Sequence, residues 1–285
     1  MQYAISIPNF GSGGDPRTLV ELAVRAEDAG WDGFFVWDHI LVDPTWSLEI
    51  ADPWIAMAAI AGATHRIRLG PMVAALPRRH PWMLARETAS LDRLSEGRLI
   101  LGAGLGWPSE AEFGTFGQEV DLRRRGEMVD ETLAILEGLW GGEPFSFAGE
   151  HYRVGRVTFL PRPLQEPRIP ISVAALRPGP EAPLRRAARW DGFVPAVEDG
   201  ELPLAMFARD VARVRELRAG MGFALDAPYD VAAPGTTPGD DRTAAADRVA
   251  AYAEAGATWW QEIVSDWLGG IDGIRARIAA GPPRG

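Results

Sequence analysis

Eight times along this chain a short apolar or β-branched run is followed by a stretch of helical periodicity, and that alternation constrains the fold more than any other feature. The first unit joins "YAISIP" (3–8) to "DPRTLVELAVRAEDAG" (15–30), with Asp15 as the expected N-cap, Pro16 as the first helical residue and Gly30 as the stop. "GFFVWDH" and a helix over 52–64, capped by Asp52 ahead of Pro53, form the second. "IRLGPMVAA" and a helix over 81–96, stopped by Gly97, form the third, and "RLILGAG" with a helix over 121–140 the fourth. Strands at 168–175, 191–196, 229–234 and 258–264 then precede helices near 181–189, 203–219, 241–255 and 270–280. The segment 141–167, rich in Gly, Pro and aromatics, fits no unit and reads as an insertion after the fourth helix, while "PGTTPGDD" (234–241) reads as a surface loop. Similar helix-to-strand turns at "AGWDGFF", "ARWDGFV" and "AGATWWQ" support repeated units. Strict alternation with eight strands favours an α/β fold of the (β/α)8 TIM-barrel type over an open doubly wound sheet, as one domain over 1–285.

A chain of 285 residues with 47% hydrophobic content can fill the core of such a barrel. Its net charge of −10 argues against nucleic acid or an anionic membrane as the main partner. Without cysteine, it has no disulfide, thiolate nucleophile, iron–sulfur cluster or cysteine-bound zinc. The opening "MQYAISIPNF" lacks a basic leader and a long apolar core, so the expected location is cytoplasmic. His39, His65, His80 and His151 are scattered, and His39, with Asp38 beside it, stands at an expected strand end. No metal centre is expected, and a metal-dependent barrel hydrolase is disfavoured.

The stretch "RLILGAGLGW" (98–107) puts Gly102, Gly104 and Gly106 at alternate positions. A dinucleotide fingerprint fails here, because Trp107 and Pro108 stand where a third glycine and a helix start belong. Alternate glycines bare one face of the strand end. They admit a large flat group, or they serve a bulge or corner at the rim. In the third strand Pro71 cannot donate to the ladder, so the strand must bulge there.

These residues also carry a family resemblance. "RIRLGPMV", "RRHPWMLARETASLDRLSEGRLILGAGLGW", "EAEFGTFG" and "AEDAGWDGFFVWDH" resemble the bacterial luciferase-like flavin and deazaflavin oxidoreductases, over residues 1 to about 200. The resemblance implies a (β/α)8 barrel with coenzyme F-420, a 5-deazaflavin, at its C-terminal mouth, and hydride transfer to or from an organic substrate. FMN is the alternative cofactor, in an oxygen-using monooxygenase, and a non-catalytic flavin-binding relative is a further reading. It implies that His39 and Asp38 are catalytic. For cofactor binding it implies Met72, Val73, Gly104, Leu105, Gly106 and Trp107, together with Ala174, Ala175, Leu176 and Arg177 at the turn after strand five. Relatives that use deazaflavin carry a non-proline cis peptide in the third-strand bulge, and the matching bond is Met72–Val73. A homodimer is the default assembly. Read from the residues, His39 is either a proton-passing group or a packed, hydrogen-bonded histidine. Trp37, Trp46, Trp107 and Phe113 suggest an aromatic-lined pocket. Arg78, Arg79, Arg185 and Arg186 read as surface charges.

Overall fold

The helix starts are set by short acidic side chains ahead of each first turn. In the computed structural model, which describes residues 1–197, 202–224 and 226–284, Asp15 accepts from the amides of Arg17 and Thr18, and Asp52 from those of Trp54 and Ile55. Asp121 and Asp241 do the same for later helices. Gly30 and Gly97 end their helices at φ +86° and +80°, a conformation that favours glycine.

Eight barrel strands result. They are β1 (Gln2–Ile7), β2 (Gly33–Val36), a third strand split into β3 (Arg68–Pro71) and β4 (Ala74–Ala75), β5 (Leu101–Gly104), β8 (Ile171–Leu176), β9 (Gly192–Ala196), β10 (Asp230–Gly235) and β11 (Trp259–Ile263). The helices between them are α1 (Pro16–Asp28), α2 (Pro53–Ala63), α3 (Pro81–Leu94), the short α4 (Ser109–Glu112), α5 (Leu122–Trp140), α6 (Ala182–Ala187), α7 (Leu204–Gly220), α8 (Arg242–Glu254) and α9 (Gly270–Ala279). The strands pair in parallel in the order β3-β2-β1-β11-β10-β9-β8-β5-β4. A parallel bridge between Leu69 in β3 and Leu99, just ahead of β5, joins the third strand to the fourth across the remaining gap. With Ile100 N–H donating to Leu69 O at 2.9 Å, the ring closes. The eightfold barrel read from the alternation is therefore the observed architecture.

Period-two alternation divides the core. Ala4, Phe35, Met72, Ile100, Val194, Ala232 and Trp259 fill the lumen. Their neighbours Ile5, Phe34, Phe193, Val231 and Trp260 point outward into the larger core under the helices. The insertion is an antiparallel hairpin of β6 (Phe145–Ala148) and β7 (Arg153–Val157). Glu131 on α5 clasps its turn, accepting from the amides of Glu150 at 2.7 Å and Tyr152 at 2.9 Å. Buried Asp92 holds the exit of the insertion through the amides of Leu164 and Gln165.

Two expectations need correction. The loop 234–241 is exposed only from Pro238 onward. Thr237 is buried because its amide and hydroxyl both donate to the enclosed carboxylate of Glu262, at 2.8 and 2.9 Å. Arg185 is a surface charge, but Arg186 is buried against α5 and paired with Asp130 at 2.7 Å. Among the described residues no helix is long and apolar enough to cross a membrane.

The entry to β3 depends on Glu27 at the end of α1, which accepts from the amides of His65, Arg66 and Ile67 at 3.0, 2.6 and 2.8 Å. Burial works against its ionisation, yet the bonds from Arg66, Ile67 and His65 outweigh it and hold the carboxyl below its ordinary 4.5. Glu27→Gln replaces an acceptor with a donor facing those amides, and should cost roughly 1–3 kcal/mol at neutral pH. Because the folded-state value is depressed, this stabilisation is present above the unfolded value and is lost as pH falls through the folded one. Urea unfolding of wild type and variant should show a gap at pH 7 that narrows below about pH 4.5.

Candidate active site

Strand β2 ends at Val36 and delivers Trp37, Asp38 and His39 to the C-terminal mouth, where loops of a parallel barrel carry chemistry. Asn9, fully buried after β1, fixes this turn. Its side chain donates to His39 O at 2.8 Å and to Ala51 O at 2.7 Å, and accepts from His39 N–H at 3.1 Å. Phe10 meets the imidazole edge-on at 5.5 Å between centroids.

The His39 ring is held by Glu112, with Nδ1 to Oε1 at 2.8 Å. A carboxylate only accepts, so Nδ1 carries the proton and Nε2 is the free nitrogen of the neutral ring. The same carboxylate takes the amide of Ile40 at 3.1 Å and an ion pair from Arg78. Glu112 is almost wholly enclosed. His39 is partly exposed and so is not an enclosed core histidine.

Asp38 lies at the end of β2, as expected, but its side chain is turned into the protein. Its carboxylate is fully enclosed, facing Arg78 at 2.9 Å and Arg79 at 3.2 Å, and it accepts from the Ala75 amide at 3.2 Å. The Asp38 carboxylate thus ties Arg78, Arg79 and the Ala75 amide together and is not open to the mouth. Arg78 and Arg79 correct a second expectation. They are not surface charges: Arg78 is buried between two carboxylates and donates to Asp38 O at 2.6 Å. Arg79 lies over Trp54 and reaches Glu87 at 3.6 Å. Burial raises the Glu87 carboxyl above its usual range against the pull of Arg79.

The third strand breaks where Pro71 required it, and the Met72–Val73 bond is cis, as the resemblance implied. Val73 fills the space that a Cβ on Gly104 would need, at 2.7 Å. Phe113 does the same at Gly106, whose φ is +82°. The alternate glycines therefore admit the bulge and an aromatic from beneath, rather than leaving an open slot of their own. Val73 and Ala174 sit partly exposed on the lumen core and form an apolar floor at the mouth. Trp46 and Trp107 are exposed on the mouth loops, and half-buried Trp37 donates its indole N–H to Ser6 at 3.0 Å. Phe113 is fully buried, against Gly106 and under the Arg125 guanidinium.

At the turn after β8, Ala174, Ala175 and Leu176 lie at the strand end, and Leu176 is exposed. Arg177 turns away from the mouth. Its guanidinium grips Asp210 at 2.6 and 2.9 Å and Gly179 O at 2.7 Å, and its amide donates to Ala196 O. The expected contact from its side chain to a cofactor anion is corrected accordingly.

Three residues were missed from the sequence. Asn9 carries no local signal. Glu112 stood inside the quoted "EAEFGTFG" without a role. Arg125 is fully buried, donates to Leu105 O and Gly106 O at 3.1 Å each and to Ser109, and stacks on Phe113 at 4.2 Å. Burial lowers its pKa, opposed by the charges of Glu119 and Asp121. Away from these residues, Glu127, Glu150 and His151 approach within metal-ligating range of one another between α5 and the hairpin turn. Arg125→Lys should loosen the glycine loop, because an ammonium cannot span two carbonyls and a hydroxyl. The expected cost is about 1–3 kcal/mol, with faster amide exchange over 105–109 in hydrogen–deuterium exchange.

Sequence comparison matches residues 1–275 to the luciferase-like monooxygenase family. The chain is 31% identical over 236 residues to an F-420-dependent glucose-6-phosphate dehydrogenase of Amycolatopsis mediterranei, covering 76% of this chain and 67% of that one. Its fold is similar to that of an F-420-dependent secondary alcohol dehydrogenase, solved with an F-420–acetone adduct, at TM-score 0.79 and 17% identity over 98% of both chains. It is also similar to the oxygenating constituent of 3,6-diketocamphane monooxygenase from Pseudomonas putida, solved with FMN, at TM-score 0.73 and 20% identity over 99% of both chains. With a closed eight-stranded barrel, a site at its C-terminal mouth and a family match over nearly its whole length, the chain belongs to the luciferase-like monooxygenase family.

Proposed function

We propose that this protein is an oxidoreductase that uses coenzyme F-420 to move a hydride to or from a small organic substrate. The observation that carries the reading is the His39–Glu112 pair after β2, at the same C-terminal end of the barrel as the apolar floor of Val73 and Ala174. That floor and the strand-end backbone fit one face of a flat ring system, and the named Amycolatopsis relative supports F-420 as its identity. When bound, the deazaflavin supplies the two-electron acceptor or donor; the protein supplies orientation and proton handling.

Met72, Val73, Gly104 and Ala174 would back the ring, with Leu105, Gly106 and Trp107 at one side and Ala175 and Leu176 at the other. His39 Nε2 takes a proton from a substrate hydroxyl, or returns one to a carbonyl oxygen in the reverse direction. Glu112 orients the ring through Nδ1 and stabilises the imidazolium formed. Asp38 supports this arrangement by holding Arg78, Arg79 and the Ala75 amide. A homodimer belongs to the same reading, supported by Ile55, Trp82 and Met83 exposed on the neighbouring helices α2 and α3; sedimentation velocity checks it.

FMN remains the second reading, favoured by the FMN-bound neighbour of similar fold. Titration with each cofactor, followed by absorbance and fluorescence, separates the two. F-420 should bind at micromolar or tighter concentrations and FMN much more weakly. The reverse order, with oxygen consumption by reduced FMN, would move the assignment to a monooxygenase, and binding of neither would remove the catalytic reading. His39→Ala should lower turnover by about a hundredfold or more while leaving the circular dichroism spectrum and cofactor affinity unchanged.

A further inference from the structure

Three polar side chains break into the apolar lumen of the barrel: Ser172 on β8, Asp230 on β10 and Gln261 on β11. Period two directs them there. Their strand neighbours Ile171, Val173, Val231 and Trp260 belong to the outer core under the helices, so the alternate positions face inward. Around them stand Phe35, Met72, Ile100 and Trp259, which offer no carbonyl or hydroxyl from their side chains.

Burial of such groups is costly unless their hydrogen bonds are met. Ser172 is 6% exposed and Gln261 3%. Among the described residues, neither the Ser172 hydroxyl nor the Gln261 carboxamide has a hydrogen-bond partner in the protein. Asp230 accepts from the Thr258 hydroxyl at 3.2 Å, and a carboxylate has further lone pairs to offer. Burial holds its carboxyl above the usual range, against the bonds from Thr258 and Trp259 and the charge of Arg68. Gly192 brings two of the three together. A Cβ there would stand 2.5 Å from Ser172 Oγ and 3.2 Å from Asp230 Cβ, so the bare glycine leaves both side chains over one point of β9. Ser172, Asp230 and Gln261 line one cavity of about 10 Å3. That is close to the smallest space that holds a single water, and a buried water has about three polar partners.

We infer that the barrel lumen is a binding site for one structural water, held by Ser172, Asp230 and Gln261. The donor and acceptor count closes. An ionised carboxylate only accepts, so the water gives one hydrogen to Asp230. The hydroxyl and the carboxamide can each donate or accept, and they take the second hydrogen and the lone pairs. The site is distinct from the His39–Glu112 pair and lies under the floor of the mouth. Met72 forms part of its wall, and the cis bond from Met72 to Val73 carries the bulge above. The water therefore completes the packing beneath Met72, which apolar side chains alone do not fill.

A high-resolution crystal structure of the full chain tests the assignment directly, and magnetic relaxation dispersion of the solvent, which registers waters held inside a protein, tests it in solution. The wild-type density should show an ordered water within hydrogen-bond distance of Ser172 Oγ, the Gln261 carboxamide and the Asp230 carboxylate. The double variant Ser172→Ala with Gln261→Met keeps the lumen close to its present volume and removes two of the three partners. Its dispersion amplitude should fall below the wild-type value by the contribution of one long-lived water. Density in which Ser172 and Gln261 bond directly to Asp230 or to each other, with no water between them, would overturn the proposal. So would an unchanged amplitude in the folded double variant. Should that variant fail to fold, the wild-type density decides alone.

Discussion

The mouth of this barrel depends on one buried cation. Arg78 lies between Asp38 and Glu112, so it joins the end of β2, the turn after β4 and the helix α4 beyond β5. Burying such a group is costly unless each charge is met, and removing one partner leaves the others stranded. Here Arg79 completes the count on Asp38, and the Ile40 amide and His39 complete it on Glu112. The imidazole is therefore oriented by a carboxylate that is itself immobilised, so the geometry at Nε2 is inherited from charges well away from it in sequence.

Ring closure imposes a related constraint. A barrel of parallel strands must complete its third strand through Pro71, which cannot donate to a ladder. The strand breaks into β3 and β4, and the bulge turns Val73 toward β5. Glycine at 104 is what lets β5 pass beneath it. The two motifs that looked separate in the sequence, a proline in one strand and alternate glycines in the next, are two sides of one contact.

This explains which parts were legible in the sequence. Strands and helices were readable because period two, period 3.6 and the caps at Asp15, Asp52 and Asp121 are local. His39 stood out through its place at a strand end. The cis bond at Met72–Val73 came from resemblance, since Pro71 alone demands a bulge and no particular bond. Partners across the fold were opaque: "PRRH" resembles a solvated loop until Asp38 and Glu112, more than thirty residues away on either side, are brought against it. Arg177 was misjudged for the same reason, because Asp210 lies on α7, three elements later. Asn9 and Arg125 act on backbone carbonyls, which have no signature in the amino-acid code.

The contact between Gly104 and Val73 also separates what can vary from what cannot. Any side chain at 104 would collide with the bulge, and displacing the bulge would disturb the amide of Ala75 that Asp38 holds. The floor is thus an interlocked part, costly to alter one residue at a time. The rings of Trp46, Trp107 and Trp267 are exposed on three different loops and take no part in that contact. A lineage or a laboratory seeking new reactants would find the rim open to piecemeal change, while the platform below stays as it is.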